Sequence, residues 1–219
     1  MASVLNFCAH NDDQVIGAGG TLAKYAQEGK KVITVIFSYG EKSHPWMKRH
    51  EIAKTRVRES AVAGKILGEA QIVYLGLREN HFPEQAKELG LERKIQSLIN
   101  TYKPEKIFTH SKDDPHPDHR AVFRIVTEAV AKMKERFPVF SFDIWNPISF
   151  KKNAVKLVVD ITPTFKKKIQ AIREHKSQKL AVYTLMTSVY VKALFNGLDH
   201  GCWFAEVFTH ETKTLDCHR

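Results

Sequence analysis

The sequence predicts an α/β protein, a Rossmann-like three-layer sandwich in which helices cover both faces of a mostly parallel sheet. Short runs rich in β-branched and aromatic residues alternate with longer segments in which apolar residues recur at a helical period, and this alternation is typical of βαβ units. The chain has 219 residues, 43% of them hydrophobic. A chain of this length can bury a full core, so we expect a single domain over residues 1–219.

The predicted strands are short apolar runs that end at polar or turn-forming residues. In chain order they span residues 4–9, 32–37, 72–75, 106–109, 140–144, 157–160 and 204–208. The predicted helices span about residues 20–28, 46–67, 84–102, 117–136, 163–174 and 179–193. Two strands between residues 138 and 162 follow each other with no helix between them, so we expect a change of topology there.

The composition limits the class of protein. Cys8, Cys202 and Cys217 are an odd number at irregular spacing, and no signal segment is recognisable, which favours a reducing, cytoplasmic location. No apolar run reaches the roughly 20 residues that cross a bilayer, so we expect no membrane anchor. The net charge of +10 is spread along the chain without a nucleic-acid motif. We therefore expect a solvated basic surface that suits an anionic substrate and no nucleic acid partner, and a homo-oligomer remains open.

Two polar segments mark the candidate site, and each stands where a predicted strand gives way to a helix. The first is AHNDDQ, in which the strand at 4–9 delivers His10 to the carboxyl edge of the sheet, where open α/β sheets bind ligands. His10 and Asp13 can share one metal ion while Asp12 faces a water molecule, and zinc prefers such nitrogen and carboxylate ligands. The alternative is that Asp12 or Asp13 only caps the next helix.

The second segment is DPHPDH. Pro117 suits the first position of a helix, which places His116 at the N-cap and His119 on the first turn. His119 is the natural third metal ligand, and His116 can face a substrate carbonyl, with Asp118 or Asp114 keeping it protonated. A capped helix with surface histidines is the alternative, but the two segments together indicate a metal-dependent hydrolytic site.

The chain resembles the LmbE-like, or PIG-L type, family of zinc-dependent N-deacetylases that act on N-acetylglucosamine derivatives. The resemblance rests on AHNDDQVIGAGGTLAKYAQEGKKV followed by DPHPDHRAV, where the family usually has AHPDDE, a glycine-rich turn and HPDH. It covers residues 3 to about 209. Supporting matches are Arg58-Glu59, Tyr74-Leu75-Gly76, His175-x-Ser177-Gln178 and Ala205-Glu206-Val207-Phe208.

The resemblance implies a hydrolase that removes an N-acetyl group, releases acetate and leaves a free amino sugar. It implies that one Zn²⁺ is bound by His10, Asp13 and His119. It also implies a general base, Asp12, and an oxyanion stabiliser or proton donor, His116, which is tuned by Asp118.

The chain departs from the family pattern at three places. Asn11 stands where the family usually has Pro, and we expect it to change only the rigidity of the turn. Gln14 replaces the usual Glu, which we expect to remove a negative charge near the metal. The segment Arg78-Glu79-Asn80 differs from the usual turn, and we expect this difference to affect which substrate is bound.

Four further residues are candidates for substrate binding. Arg56 and Arg58 lie on a long predicted helix, where they can reach a substrate anion or form ion pairs with nearby glutamates. His175 and Gln178 can line the pocket, or they can simply end a helix. The three tryptophans can stack on a sugar ring or pack in the core: Trp46, Trp145 and Trp203.

Two other functions remain open. The glycine-rich turn at Gly17, Gly19 and Gly20 suggests a nucleotide-sugar-binding transferase, but the spacing is not that of a dinucleotide-binding fingerprint, and close packing at the start of a helix explains these glycines better. A basic, non-catalytic binding module would leave both histidine- and aspartate-containing segments unexplained. A zinc-dependent N-deacetylase therefore remains the prediction.

Overall fold

The computed structural model describes residues 1–41, 48–145 and 155–211. Its strands are β1 (Ser3–Cys8), β2 (Lys31–Ser38), β3 (Gln71–Leu77), β4 (Lys106–His110), β5 (Val139–Phe142), β6 (Lys156–Asp160) and β7 (Ala205–His210). Its α-helices are α1 (Asp13–Gln27), α2 (Arg49–Leu67), α3 (Phe82–Glu88), α4 (Leu91–Tyr102), α5 (Pro117–Ala131), α6 (Phe165–Arg173) and α7 (Lys179–Asp199). A 3-10 helix, Lys176–Gln178, joins α6 to α7. Trp46 and Cys217 lie outside the described residues.

The strands form one sheet in the order β3-β2-β1-β4-β5-β7-β6. The first five run parallel to one another, whereas β7 runs antiparallel to both β5 and β6. The predicted α/β fold with a mostly parallel sheet is therefore confirmed. The change of topology falls where the sequence predicted it, because β7 lies between β5 and β6 in the sheet although it follows both in the chain.

Two apolar layers hold the helices against the sheet, one layer on each face. On one face, α1, α2, α6 and α7 pack over residues such as Val4, Ile36 and Phe108. On the other face, α3, α4 and α5 pack over residues such as Leu5 and Val35. The central strand β1 is buried along its whole length, as its run of apolar residues predicts for a parallel strand covered on both faces.

The candidate site lies where the direction of winding reverses. The chain leaves β1 through α1 on one face, and it reaches β4, the other neighbour of β1, through α3 and α4 on the opposite face. Crossovers that leave neighbouring strands on opposite faces open a crevice at the carboxyl ends of those strands. The chain thus places the residues that follow β1 and β4 side by side.

The glycine-rich segment was expected to form a turn before the first helix, but it lies inside that helix. Gly17, Gly19 and Gly20 lie inside α1. A Cβ atom added to Gly17 would lie 2.3 Å from the Phe142 ring, and one added to Gly20 would lie 2.6 Å from Ile161. These glycines therefore allow α1 to pack closely against the ends of β5 and β6.

Several predicted element boundaries were also wrong. The helix predicted at 84–102 is two helices, because Gly90 takes a left-handed conformation with φ 59° between α3 and α4. Helix α5 ends at Ala131 instead of residue 136, since the charged segment that follows is largely exposed. Helix α7 continues to Asp199, six residues beyond its predicted end. In the described ranges, none of the helices has the length and hydropathy that a membrane span requires.

Candidate active site

The residues of the two polar segments meet at the carboxyl edge of the sheet. His10 and Asp12 lie in the turn after β1, and Asp13 is the first residue of α1. His119 lies on the first turn of α5. The strand β4, which pairs with β1, ends at His110 directly beside them. Two segments about a hundred residues apart in the chain thus form one cluster.

His10, Asp13 and His119 form the candidate metal-binding set, since their ligand atoms lie within 4.8 Å of one another. His10 Nδ1 is 3.5 Å from Asp13 Oδ2, and His119 Nε2 is 3.4 Å from Asp13 Oδ1. Tetrahedral ligands about 2.1 Å from a zinc ion are about 3.4 Å apart, so these separations suit one ion. Asp13 is also fixed in place, because its Oδ2 accepts the N–H of His10 at 2.7 Å. The residues present therefore fit zinc.

A carboxylate lies behind each of the two imidazoles. Asp118 Oδ2 is 3.3 Å from His10 Nε2, and Asp114 Oδ1 is 3.0 Å from His119 Nδ1. Metal-binding histidines commonly direct their second nitrogen at a carboxylate, which fixes the ring and raises its basicity. The arrangement leaves His10 Nδ1 and His119 Nε2 directed at Asp13.

Two other groups of residues in the described ranges could hold a metal ion. One consists of His10, His116 and Asp118, and the other of His110, Asp114 and His119. Each would use as a ligand one of the carboxylates that orient His10 and His119. The group that contains Asp13 keeps both carboxylates in their supporting positions, and we therefore favour it.

The electrostatics of the cluster indicate that it is built to hold positive charge. Burial lowers the pKa of His10, but hydrogen bonds with Asp118 and Asp13 outweigh burial and raise that pKa to about 10. Burial likewise disfavours the charged ring of His119, but Asp13 and Asp114 raise its pKa to about 9. Burial raises the pKa of Asp13, yet His119 and His110 outweigh it and hold this pKa well below its usual value. The carboxylates thus stabilise cationic charge at this point.

Asp12 lies beside this cluster and pairs with an arginine. Arg56 Nη2 donates to Asp12 Oδ1 at 3.0 Å, and the Arg56 side chain is 4% exposed. Arg56 Nη1 also donates to the carbonyl of Gly40 at 3.3 Å, and a Cβ added to Gly40 would lie 2.2 Å from that nitrogen. Asp12 makes no side-chain hydrogen bond that caps α1, so the capping interpretation does not account for its carboxylate.

His116 differs from the sequence-based expectation in its partner and in its protonation. Its Nδ1 accepts the backbone N–H of Asp118 at 3.2 Å, and the Asp118 carboxylate contacts His10 instead. Because Nδ1 accepts, a neutral ring carries its proton on Nε2. Burial lowers the pKa of His116, and the nearby His119 and His10 lower it further. His116 is therefore a neutral hydrogen-bond donor at pH 7, not the imidazolium that we expected.

The four candidate substrate-binding residues lie in different environments. Arg56 is buried next to Asp12, whereas Arg58 is exposed. His175 is 1% exposed, and neither ring nitrogen has a hydrogen-bond partner among the described residues; burial lowers its pKa. Gln178 donates to Ser177 Oγ at 3.4 Å. The structure thus brings Arg56 to the candidate site and directs Arg58 to solvent. Of the described tryptophans, Trp145 is 43% and Trp203 68% exposed.

Sequence reasoning missed His110, which ends β4. The ring of His110 stacks on that of His119 with centroids 3.9 Å apart, and its Nε2 lies 3.1 Å from Asp13 Oδ2. Burial and then the charge of His119 lower the pKa of His110 to about 4, so this ring is neutral. A histidine directly after the predicted strand at 106–109, at the carboxyl edge of the sheet, was the available signal.

The unusual segment after β3 also contributes. Asn80 has a φ of 65°, and its N–H donates to both carboxylate oxygens of Asp118 at 3.0 and 3.1 Å. Glu79 Oε1 lies 3.7 Å from His10 Nε2. This segment therefore helps to hold the carboxylate behind His10.

The two departures in AHNDDQ make specific contacts. Asn11 Nδ2 donates to the carbonyl of Tyr39 at 2.8 Å, so Asn11 ties the turn after β1 to the loop after β2. Gln14 Nε2 donates to Ser60 Oγ on α2 at 2.9 Å. Both side chains thus connect the candidate site to the neighbouring loop and helix.

Comparison with known proteins agrees with this geometry. The model of the GlcNAc-PI de-N-acetylase (PIG-L) family matches residues 5–130, which are 126 of the 219 residues. The probable N-acetyl-alpha-D-glucosaminyl L-malate deacetylase 2 of Bacillus cereus is 27% identical over 192 residues, which are 82% of this chain and 84% of that protein. The 4-oxalmesaconate hydratase of Pseudomonas putida is 27% identical over 197 residues, which are 78% of this chain and 72% of that protein.

A solved structure shares the fold. The N,N'-diacetylchitobiose deacetylase of Pyrococcus horikoshii superposes with a TM-score of 0.82 at 24% identity, over 98% of this chain and 85% of that chain. The family match confirms the resemblance that the two polar segments indicated. The chain belongs to the GlcNAc-PI de-N-acetylase (PIG-L) family, and the proteins similar to it include deacetylases of N-acetylated amino sugars.

Proposed function

We propose that the protein is a zinc-dependent N-deacetylase that hydrolyses the N-acetyl group of an N-acetylglucosamine derivative and releases acetate and a free amino sugar. One observation carries this proposal: a carboxylate paired with a buried arginine, Asp12 with Arg56, lies beside two histidines and an aspartate whose spacing suits one zinc ion. The family supports the reaction class. We also propose a cytoplasmic location, which free cysteines at positions 8 and 202 support.

His10, Asp13 and His119 would hold the ion. A zinc ion in such a site lowers the pKa of a bound water towards about 7 and polarises a carbonyl group. Asp118 and Asp114 keep the two imidazoles turned towards Asp13, so that the set is preorganised before the ion binds. His110 packs beneath it and excludes water from that side.

Asp12 is the general base of the proposed reaction. It accepts a proton from the attacking water, whose oxygen forms a bond to the acetyl carbon. Arg56 holds one carboxylate oxygen, Oδ1, at 3.0 Å, which fixes the side chain and leaves Oδ2 for the water. The same carboxyl group then returns the proton to the departing amine nitrogen, so that the carbon–nitrogen bond breaks and one water is consumed for each acetate released.

His116 stabilises the negative charge that develops on the acetyl oxygen. Its Nδ1 is occupied by the Asp118 N–H at 3.2 Å, so the Nε2–H is the group available for that oxygen. A neutral donor suits this role, because it gives a hydrogen bond without giving up its proton. Asp118 thus orients two rings, His116 through its backbone and His10 through its carboxylate.

The substrate's sugar is left with few polar partners in the described cluster. Arg56 is engaged by Asp12 and Gly40, and His175 is buried. We propose that Arg56 contacts the substrate beside Asp12, and that the net charge of +10 attracts anionic derivatives. Arg58 is exposed and lies two residues from Arg56, so it points away from Asp12.

The hydratase relative makes addition of water to a carbon–carbon double bond the second candidate. In both reactions Asp12 first deprotonates a water. Only in hydrolysis of the amide is the proton then transferred to a nitrogen atom. A panel of N-acetylated sugars and one unsaturated dicarboxylic acid, each offered to the zinc-loaded protein, separates the two. We expect acetate from at least one sugar, and none with the Asp12→Asn variant.

Hydration of the unsaturated acid without any acetate would overturn the proposal and assign the hydratase reaction. Failure of the purified protein to bind zinc would remove the basis of both reactions and leave a transferase or a non-catalytic basic module to be considered.

A further inference from the structure

Helix α7 presents an apolar face to solvent, interrupted near the middle of the helix by the exposed Thr184 and Thr187. In the described ranges, seven of the fourteen exposed large hydrophobic residues belong to this one helix. They are Leu180 (83% exposed), Tyr183 (64%), Tyr190 (40%), Val191 (46%), Leu194 (37%), Phe195 (65%) and Leu198 (60%). Isolated exposed apolar residues are common, but a concentration of this kind marks an interaction surface.

The exposed residues follow the helical repeat. Leu180, Tyr183, Thr187, Val191, Leu194 and Leu198 are separated by three or four positions, and all are exposed, so they form one stripe along the helix. The opposite side of the same helix, including Leu185, Val189 and Ala193, is buried in the core. Helix α7 is thus apolar on two faces, and only one of them is buried in the core.

The area of this face is that of one side of a stable interface. Fully exposed aromatic residues present about 200 Å² each, so Tyr183, Phe195 and the neighbouring Trp203, each about two-thirds exposed, account for about 400 Å². With the aliphatic residues the face reaches roughly 700 Å², close to the roughly 800 Å² that each partner contributes to a standard-size interface.

The charges around the face favour a protein partner over a lipid surface. The stripe itself carries no charged side chain. Helix α7 has three charged residues: Lys179 and Asp199 at its two ends, and Lys192, which donates to the carbonyl of Asp143 at 2.9 Å. Helices that lie on membranes carry many Lys and Arg beside their apolar face, and α7 does not. A nucleic acid partner would need the same cations.

We propose that this face packs against the same face of a second copy of the chain, with the two α7 helices antiparallel across a two-fold axis. The stripe is nearly symmetric about its middle: an axis near residue 189 brings Leu180 level with Leu198 of the second copy, and Thr187 level with Val191 of the second copy. Lys179 then lies level with the opposite charge of Asp199. An isologous contact needs this kind of self-complementary surface.

The proposal is tested by sedimentation velocity of the full-length protein and three double variants. Wild type is expected to be a dimer. Leu180→Glu with Leu198→Glu places like charges level with each other across the axis, and we expect the dimer Kd to rise about 30-fold or more. Leu180→Glu with Leu198→Lys places opposite charges there and is expected to keep the dimer. The matched control, Val62→Glu with Leu89→Glu, changes two exposed aliphatic residues outside α7 and is expected to keep it as well.

The four substituted positions are all exposed, and circular dichroism checks that each variant folds. A wild-type protein that is monomeric at about 100 μM, or a control pair that dissociates the dimer as strongly as the α7 pair, overturns the proposal. So does a monomer that binds vesicles of anionic phospholipid through α7, because the face would then serve a membrane. Loss of dimerisation with acetate release unchanged supports the interface independently of the proposed function.

Discussion

Zinc binding at pH 6 is expected to release about two protons from the protein. In the metal-free chain the carboxylates raise the pKa of His10 to about 10 and that of His119 to about 9, despite the burial that opposes both charges. Both rings are therefore protonated at pH 6, and both must be neutral to bind a metal. His110, with a pKa of about 4, and Asp13, whose pKa lies well below its usual value, are already deprotonated and contribute none.

The magnitude follows from the two pKa values. Below pH 9, each unit of decrease in pH lowers the deprotonated fraction of each ring about tenfold. Because zinc binds only when both rings are deprotonated, the apparent zinc affinity is expected to fall about 100-fold per pH unit. Isothermal titration calorimetry at pH 6 in buffers of different ionisation enthalpy counts the released protons directly. A release of less than one proton, or an affinity that is constant between pH 6 and 7, would refute the assignment of His10 and His119 as ligands.

Four substitutions test the other roles. Asp12→Asn is expected to keep zinc but to lower kcat by about 10²- to 10⁴-fold, as loss of a general base does; steady-state kinetics with a zinc assay checks this, and full activity would assign the base elsewhere. His116→Ala should lower kcat by about 10²- to 10³-fold with little change in KM or zinc content; loss of the metal in this variant, while His119→Ala keeps it, would show that His116 and not His119 is the ligand. Asp114→Asn should weaken zinc binding by about 10- to 100-fold because His119 loses its supporting carboxylate, and an unchanged affinity in a competition titration would show that the contact does not orient the ring. Gly17→Ala should lower the free energy of unfolding by about 1–3 kcal/mol, since its Cβ would lie 2.3 Å from the Phe142 ring; equal stability in urea denaturation would show that the two elements move apart freely.

The two polar segments could be predicted to meet because the rules for parallel sheets place the ends of neighbouring strands together. His10 and Asp13 follow β1, and His119 opens the helix after β4. Their proposed role as metal ligands then rests on the chemistry of imidazole and carboxylate. The resemblance to a family supplied the reaction, which spacing alone could not.

Other parts of the site depend on contacts that no local pattern reveals. His110 reaches Asp13 only because β4 pairs with β1 in a particular register. The carboxylate of Asp118 lies against His10 because Asn80, in a left-handed conformation, holds it there. These contacts join residues that are distant in the chain.

The sequence could have predicted that only one of the two arginines, Arg56 and Arg58, lies at the candidate site. Residues two apart on a helix point in nearly opposite directions, so Arg56 and Arg58 could not both face one pocket. The structure buries the first beside Asp12 and exposes the second. The role of the glycines in α1 was harder to predict, because glycine occurs both in turns and where a helix packs closely on a neighbour. Only the positions of Phe142 and Ile161 in the fold distinguish these two roles.

The most direct measurement of the central claim is the origin of the oxygen in the released acetate. The zinc-loaded protein is given an N-acetylated amino sugar in H₂¹⁸O, and the acetate is analysed by mass spectrometry against the Asp12→Asn variant. If Asp12 activates a water that attacks the acetyl carbon, each acetate carries one ¹⁸O atom and its amount equals that of the free amine. Acetate without ¹⁸O, or amine formed at the same rate by the Asp12→Asn variant, would contradict the account.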